Sequence, residues 1–182
     1  MPVTGALILA FFATVWWIVG LRAAGHGPAL LYIVPIVAAA VLGGVYWGVT
    51  HRRGAAGGAV DSAEEARRRR LVRWASAAEG VGIFVAANVL VNIGHRDAIA
   101  PTIALIVGAH FVPLARGLPA PAYYLTAGAL VGLGVIGLTI GDLPTRLTLV
   151  SAGAAGVLWL TALSALFRGR GAPISPSGRP LP

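Results

Sequence analysis

The stretch WASAAEGVGIFVAANVLVNIGHRDAIAPTIALIVGAHFVPLAR, Trp74 to Arg116, decides the fold. Two apolar runs flank the polar corner Gly94-His95-Arg96-Asp97. Each run has about twenty residues, the length a helix needs to cross ~30 Å of hydrocarbon at a rise of 1.5 Å per residue. Joined by so short a corner, they predict an antiparallel helical hairpin within a membrane. The pair also holds most of the groups that are costly to place in lipid: Glu79, Asn88, Asn92, Thr102 and His110.

Working outward, the rest of the chain has the same character. Of 182 residues, 57% are hydrophobic and 11% charged, where a soluble domain carries about 25% charged residues. Mean hydropathy is +0.82. Apolar runs set off by short polar links predict spans over residues 3–21, 29–50, 75–93, 98–115, 122–140 and 147–167. The expected fold is therefore all-α, a polytopic bundle of six transmembrane helices within residues 1–167. Trp16, Trp17, Tyr32, Tyr46 and Trp47 fall near span ends, where aromatic rings favour the interface. Gly128-x-x-x-Gly132 in the fifth span permits close helix approach and reads as internal packing, and Ser151, Gly153 and Gly156 outline a second such face. The tail, residues 168–182, is rich in Pro, Gly and Ser and is expected to be disordered.

Residues 51–73 form the one long hydrophilic segment between spans. Ser62 and Glu65 have the spacing of a capping box, so a helix is expected to begin in water near Ser62 and run on into the membrane. Glu64 and Glu65 stand four residues before Arg68 and Arg69, the favourable order for helix ion pairs. Arg67, Arg68, Arg69, Arg70 and Arg73 then serve as a topology anchor and as partners for anionic lipid headgroups.

The net charge of +8 raises nucleic-acid binding as an idea, but the placement of the charge argues against it. All fourteen basic residues are arginine, and seven of them lie in the 51–73 loop. Adding Arg116 and the tail's Arg168, Arg170 and Arg179 puts eleven on one side, against Arg22, Arg96 and Arg146 on the other. Positive charge marks the cytoplasmic side. Both termini are thus expected in the cytoplasm, with the bundle in a bacterial inner membrane. There is no cysteine, which excludes disulfides, thiolate metal sites and thiol nucleophiles. No H-E-x-x-H or Walker pattern occurs, and of the four histidines only His110 lies deep in a span, so no metal or other cofactor is expected.

Glu79 lies five residues past Trp74 and His110 six before Arg116, roughly 7–9 Å inside the same end of the hairpin. A Glu–His contact across the two helices is sterically open, and it could share a proton because imidazole titrates near neutrality. The structural alternative has Glu79 reaching back to the interface and His110 bonding a backbone carbonyl. Gly80 and Gly82 leave room beside Glu79, and Pro113 frees a carbonyl near Ala109, beside His110. Asn88 and Asn92 share a face one turn apart and suit interhelical hydrogen bonding. At nine residues' separation, Glu79 and Asn88 fall on opposite faces of an ideal helix. At the corner, Asp97 is placed to cap the following helix, with Arg96 as its partner or a headgroup contact.

The run Gly108-Ala109-His110-Phe111-Val112-Pro113-Leu114-Ala115, with Arg96-Asp97 upstream, resembles a segment of small bacterial multispan integral membrane proteins that are uncharacterised. The resemblance covers some twenty residues and implies a multispan fold, with no activity attached.

Three functional readings follow. The leading one is a non-enzymatic small-solute or proton-coupled permease, or an accessory subunit, centred on Glu79 and His110; so short a chain would act as a homo-oligomer. The second is a structural or assembly protein held together by its asparagines and glycines. The third is an interfacial membrane enzyme using His95, Asp97 or His110.

Overall fold

The computed structural model describes residues 2–25, 62–118 and 120–168, with the isolated helical positions 33, 36, 37, 40 and 44 between the first two segments. Within these residues the chain is helical and has no strand. Helix α1 is Pro2–Ala23, α2 is Ser62–Asn92, α3 is Ile99–Gly117, α4 is Ala122–Thr139 and α5 is Leu143–Arg168. A 3-10 turn, Arg96–Ala98, precedes α3. All five helices are long and apolar enough to cross a membrane. That is the helical bundle the apolar runs predict, since without water each backbone N–H and C=O must find its partner within its own helix. The expected second span, the loop up to residue 61 and the tail from 169 lie outside the described residues, as do His26 and His51, apart from the five isolated positions.

The bundle is built from two antiparallel seams of small residues. In the first, α1 lies along α5. Ala6 packs with Ala162 and Leu166 at one end, Ala13 packs with Ala154 and Leu158 in the middle, and Gly20 meets Ser151 at the other end. A Cβ on Gly20 would stand 2.8 Å from the Cβ of Ser151, so the two backbones are in contact there. In the second seam α3 lies along α4. A Cβ on Gly108 would fall 2.8 Å from Val131 Cγ2, and one on Gly134 would fall 2.8 Å from the Pro101 carbonyl oxygen. Gly153 of α5 abuts Leu133 of α4 and joins the seams. Thr126 and Thr161 share a buried hydrogen bond of 2.7 Å across the α4–α5 contact.

This arrangement corrects the glycine reading. Among the described residues, a side chain at Gly128, Gly132 or Gly156 would meet nothing within 4 Å, so the Gly128-x-x-x-Gly132 pattern packs against none of the described helices. The close approach of α4 is made by Gly134 and Gly137, which lie 120° or more around an ideal helix from Gly128 and Gly132.

At the start of α2 the expected ion pairs form. Arg68 bonds Glu64 at 2.9 Å and Arg69 bonds Glu65 at 3.1 Å, and Arg67 adds a forked pair to Glu64 at 2.8 and 3.0 Å. The hydrogen bonds from Arg67, then Arg68, hold the Glu64 carboxyl down to about 2. The side chain of Ser62 lies outside the described residues, and with it the capping box. At the opposite end of the bundle, Asp97 does not cap α3, whose first turn has no side-chain cap. It pairs instead with Arg146 of α5, a buried side chain that also donates to the Ile140 carbonyl.

Candidate functional site

The site lies on the α2–α3 hairpin. Its reversal is set by Gly94, whose φ of +82° is open to glycine at little cost. The His95 N–H donates to the Leu90 carbonyl at 2.8 Å and the Gly94 N–H to that of Val91 at 3.2 Å, which closes the end of α2 in a Schellman motif. Counting from Gly94, Glu79 lies fifteen residues before and His110 sixteen after. The near-equal count brings both to the same level on adjacent antiparallel helices.

There they meet. His110 Nδ1 is 3.6 Å from Glu79 Oε2, a charge-pairing distance but too long for a good hydrogen bond. The His110 side chain is 9% exposed and that of Glu79 23%. Nδ1 is buried and has no hydrogen-bond partner. It is thus a polar atom out of water whose nearest complementary group is the carboxylate. The imidazole stands edge-on to Phe111, which in turn stands edge-on to Tyr123 of α4, so aromatic rings brace the histidine from behind. A Cβ on Gly82 would lie 3.4 Å from Ile106 Cγ2, so α2 approaches α3 closely just past Glu79, while Gly80 opens onto free space.

Chemically the pair offers one proton acceptor on each helix, separated by a gap about 0.8 Å longer than a charge-assisted hydrogen bond. Among the described residues no three His, Cys, Asp or Glu side chains are grouped to hold an ion.

The structure joins two of the five polar residues and leaves three apart. Asn88 is exposed and donates to the Phe84 carbonyl of its own helix at 2.7 Å, so it bridges no helices. Asn92 is exposed and Thr102 half-buried, and neither reaches Glu79 or His110. The half-turn phase between Glu79 and Asn88 has this consequence.

One turn toward the charged end, a groove of about 560 Å³ separates α2 from α3. It is lined by Arg67, Arg70, Leu71 and Trp74 on one side and by Val112, Pro113, Arg116 and Gly117 on the other. Arg116 and Trp74 were not among the sequence-selected site residues. The signal for both was their position six and five residues from His110 and Glu79, where the same level of the hairpin is bound to bring them together.

No family model, no curated protein and no solved structure matches this chain.

Proposed function

We propose that this chain is a multispan protein of a bacterial inner membrane with both ends in the cytoplasm, and that Glu79 and His110 form a proton-binding centre serving a small-solute or proton-coupled permease or its accessory subunit. One observation carries the reading: two titratable side chains from different helices stand 3.6 Å apart within apolar surroundings. Ionisable groups at such depth are costly and mark proton or solute pathways by default. The groove lined by Trp74 and Pro113 supports it further, because it lies about a turn from the pair and shortens the way in from the charged end. In this reading the chain acts as a homo-oligomer. The family reading is likewise a proposal, that of the small bacterial multispan proteins sharing the segment around His110.

The structural or assembly reading also has an observation in its favour. Asp97, one of the groups an interfacial enzyme would use, is engaged by Arg146 in holding α5 to the hairpin corner. Polar groups in this bundle do serve packing.

Proton or solute flux into proteoliposomes separates the two. The parent is expected to conduct, and His110→Ala and Glu79→Gln to lose the flux while eluting as folded protein. Absence of any flux in the parent, or variants equal to the parent, would overturn the permease reading in favour of the structural one.

A further inference from the structure

We propose that the groove between the start of α2 and the end of α3 binds an anionic phospholipid, with Arg70 and Arg116 on its phosphate and Trp74 and Pro113 against its glycerol and upper acyl chain. The inference shares only the membrane reading with the proposed function, and it does not depend on what Glu79 and His110 do.

Glu64 holds Arg67 and Arg68, and Glu65 holds Arg69. With the Glu64 carboxyl held down to about 2, its pairs persist at any physiological pH. Among the described residues, Arg70, Arg73 and Arg116 have no carboxylate partner. Arg70 and Arg116 line the same groove from different helices, and Arg73 does not line it. The arginine run on α2 thus divides into a self-paired part and one member that converges with an arginine 46 residues away. Two guanidinium groups facing one cleft repel each other unless an anion lies between them. Guanidinium forks also match phosphate oxygens in geometry.

Leu71, Trp74, Val112 and Pro113 are apolar and supply half of the groove's eight lining residues. Trp74 is 67% exposed, and it stands one turn inward of Arg70 where an indole belongs at the headgroup level. On an ideal helix Arg70, Trp74, Val81 and Val85 fall within about 40° of one direction. Val81 and Val85 are 63% and 52% exposed. That stripe passes from cation through interfacial aromatic to open aliphatic side chains, in the order of a phospholipid's own parts: phosphate, glycerol, acyl chain. A free phosphate would use the arginines and leave the apolar walls idle, so the complete lining fits the lipid.

The test titrates the full-length protein, in neutral detergent, with dioleoylphosphatidylglycerol, dioleoylphosphatidylcholine and inorganic phosphate, and counts bound lipid by native mass spectrometry. Phosphatidylglycerol is expected to bind in preference to phosphatidylcholine. Its affinity should fall about five-fold for Arg70→Gln or Arg116→Gln and about thirty-fold for both together. Arg69→Gln combined with Arg73→Gln removes the same charge from outside the groove, and it should stay within about two-fold of the parent. Glu79→Gln should bind lipid as the parent does, which keeps a failed flux assay distinct from a failed lipid site. Quenching by brominated phosphatidylglycerol provides a readout in the unaltered arginine background: the quenched signal should fall in Trp74→Phe relative to the parent. Equal loss in the Arg69/Arg73 double variant, equal affinity for phosphatidylcholine, displacement of lipid by millimolar inorganic phosphate, or quenching indifferent to Trp74→Phe would each overturn the proposal.

Discussion

Arg146 of α5 is paired with Asp97 at the corner between α2 and α3, across 49 residues of sequence and between elements that share few other contacts. The two partners are unequal in surroundings. The Arg146 side chain is 9% exposed, whereas that of Asp97 is 45% exposed. Arg146 has a second acceptor in the Ile140 carbonyl, at 2.7 Å from Nε.

This asymmetry orders two substitutions. Asp97→Asn leaves a buried guanidinium without its counter-charge, while Arg146→Met removes the buried charge together with its desolvation cost. Asp97→Asn is expected to be the more destabilising of the two, with Arg146→Met within about 1 kcal/mol of the parent. Thermal unfolding in detergent, followed by circular dichroism, decides the order. The reverse ranking would mean that the pair's attraction outweighs the burial of Arg146.

The seams of small residues yield a second expectation. A methyl group on Gly108 would meet Val131 Cγ2 at 2.8 Å and the Val131 backbone nitrogen at 2.9 Å, and backbone cannot move aside cheaply. Gly108→Ala should therefore cost about 1–3 kcal/mol. Gly128→Ala meets none of the described residues and should gain up to about 1 kcal/mol through helix propensity. Equal effects at the two positions, in the same unfolding assay, would contradict the packing face assigned to these helices.

What could be read from the sequence follows from these cases. Length and hydropathy reveal spans, because one-dimensional apolar runs are all that insertion requires. The shared level of Glu79 and His110 was legible too, since two residues nearly equidistant from one tight corner arrive at the same depth; their contact was not, because it depends on how the two helices are turned. The packing glycines were not, because a glycine's use depends on which way its helix is turned, and that is set by the neighbour. Gly134 and Gly137 have no better spacing than Gly128 and Gly132; they differ only in facing Pro101 and Val150. Arg146 and Asp97 escaped for a similar reason. Each lies beside its own turn with a local use at hand, and only the docking of α5 on the hairpin brings them together.

Asp142 supplies a pH dependence. Its Oδ2 accepts the Thr145 N–H at 2.9 Å at the start of α5, and hydrogen bonding from the Thr145 side chain and backbone holds its carboxyl below the usual range. A lowered folded value contributes stability that is fully present above the unfolded carboxylate pKa of about 3.9. That contribution is lost as pH falls through the lower folded value. The thermal midpoint of the parent should thus decline below about pH 4, and Asp142→Ala should start lower and show a shallower decline. Asp142→Asn, which can still accept the N–H, is expected between them at neutral pH. A parent and an alanine variant with parallel pH curves would show that the cap carries no such linkage.

The orientation can be tested directly because the chain has no cysteine, so any introduced thiol is the only one. Arg73 lies at the charged end of α2 and His95 at the corner beyond its other end, with the apolar run of the helix between them. If the arginine bias sets the topology, Arg73→Cys faces the cytoplasm and His95→Cys the opposite side. A membrane-impermeant maleimide added to intact spheroplasts should label His95→Cys at once and Arg73→Cys only after permeabilisation. Removing one arginine of the seven in the 51–73 loop leaves the bias intact, so the substitution itself should not invert the protein. Labelling of Arg73→Cys in intact cells would reverse the orientation, and the arginine-lined groove would then face the outer leaflet. Labelling of both from one side would mean that α2 does not span, and it would remove the physical basis for treating Glu79 and His110 as a pair held within lipid.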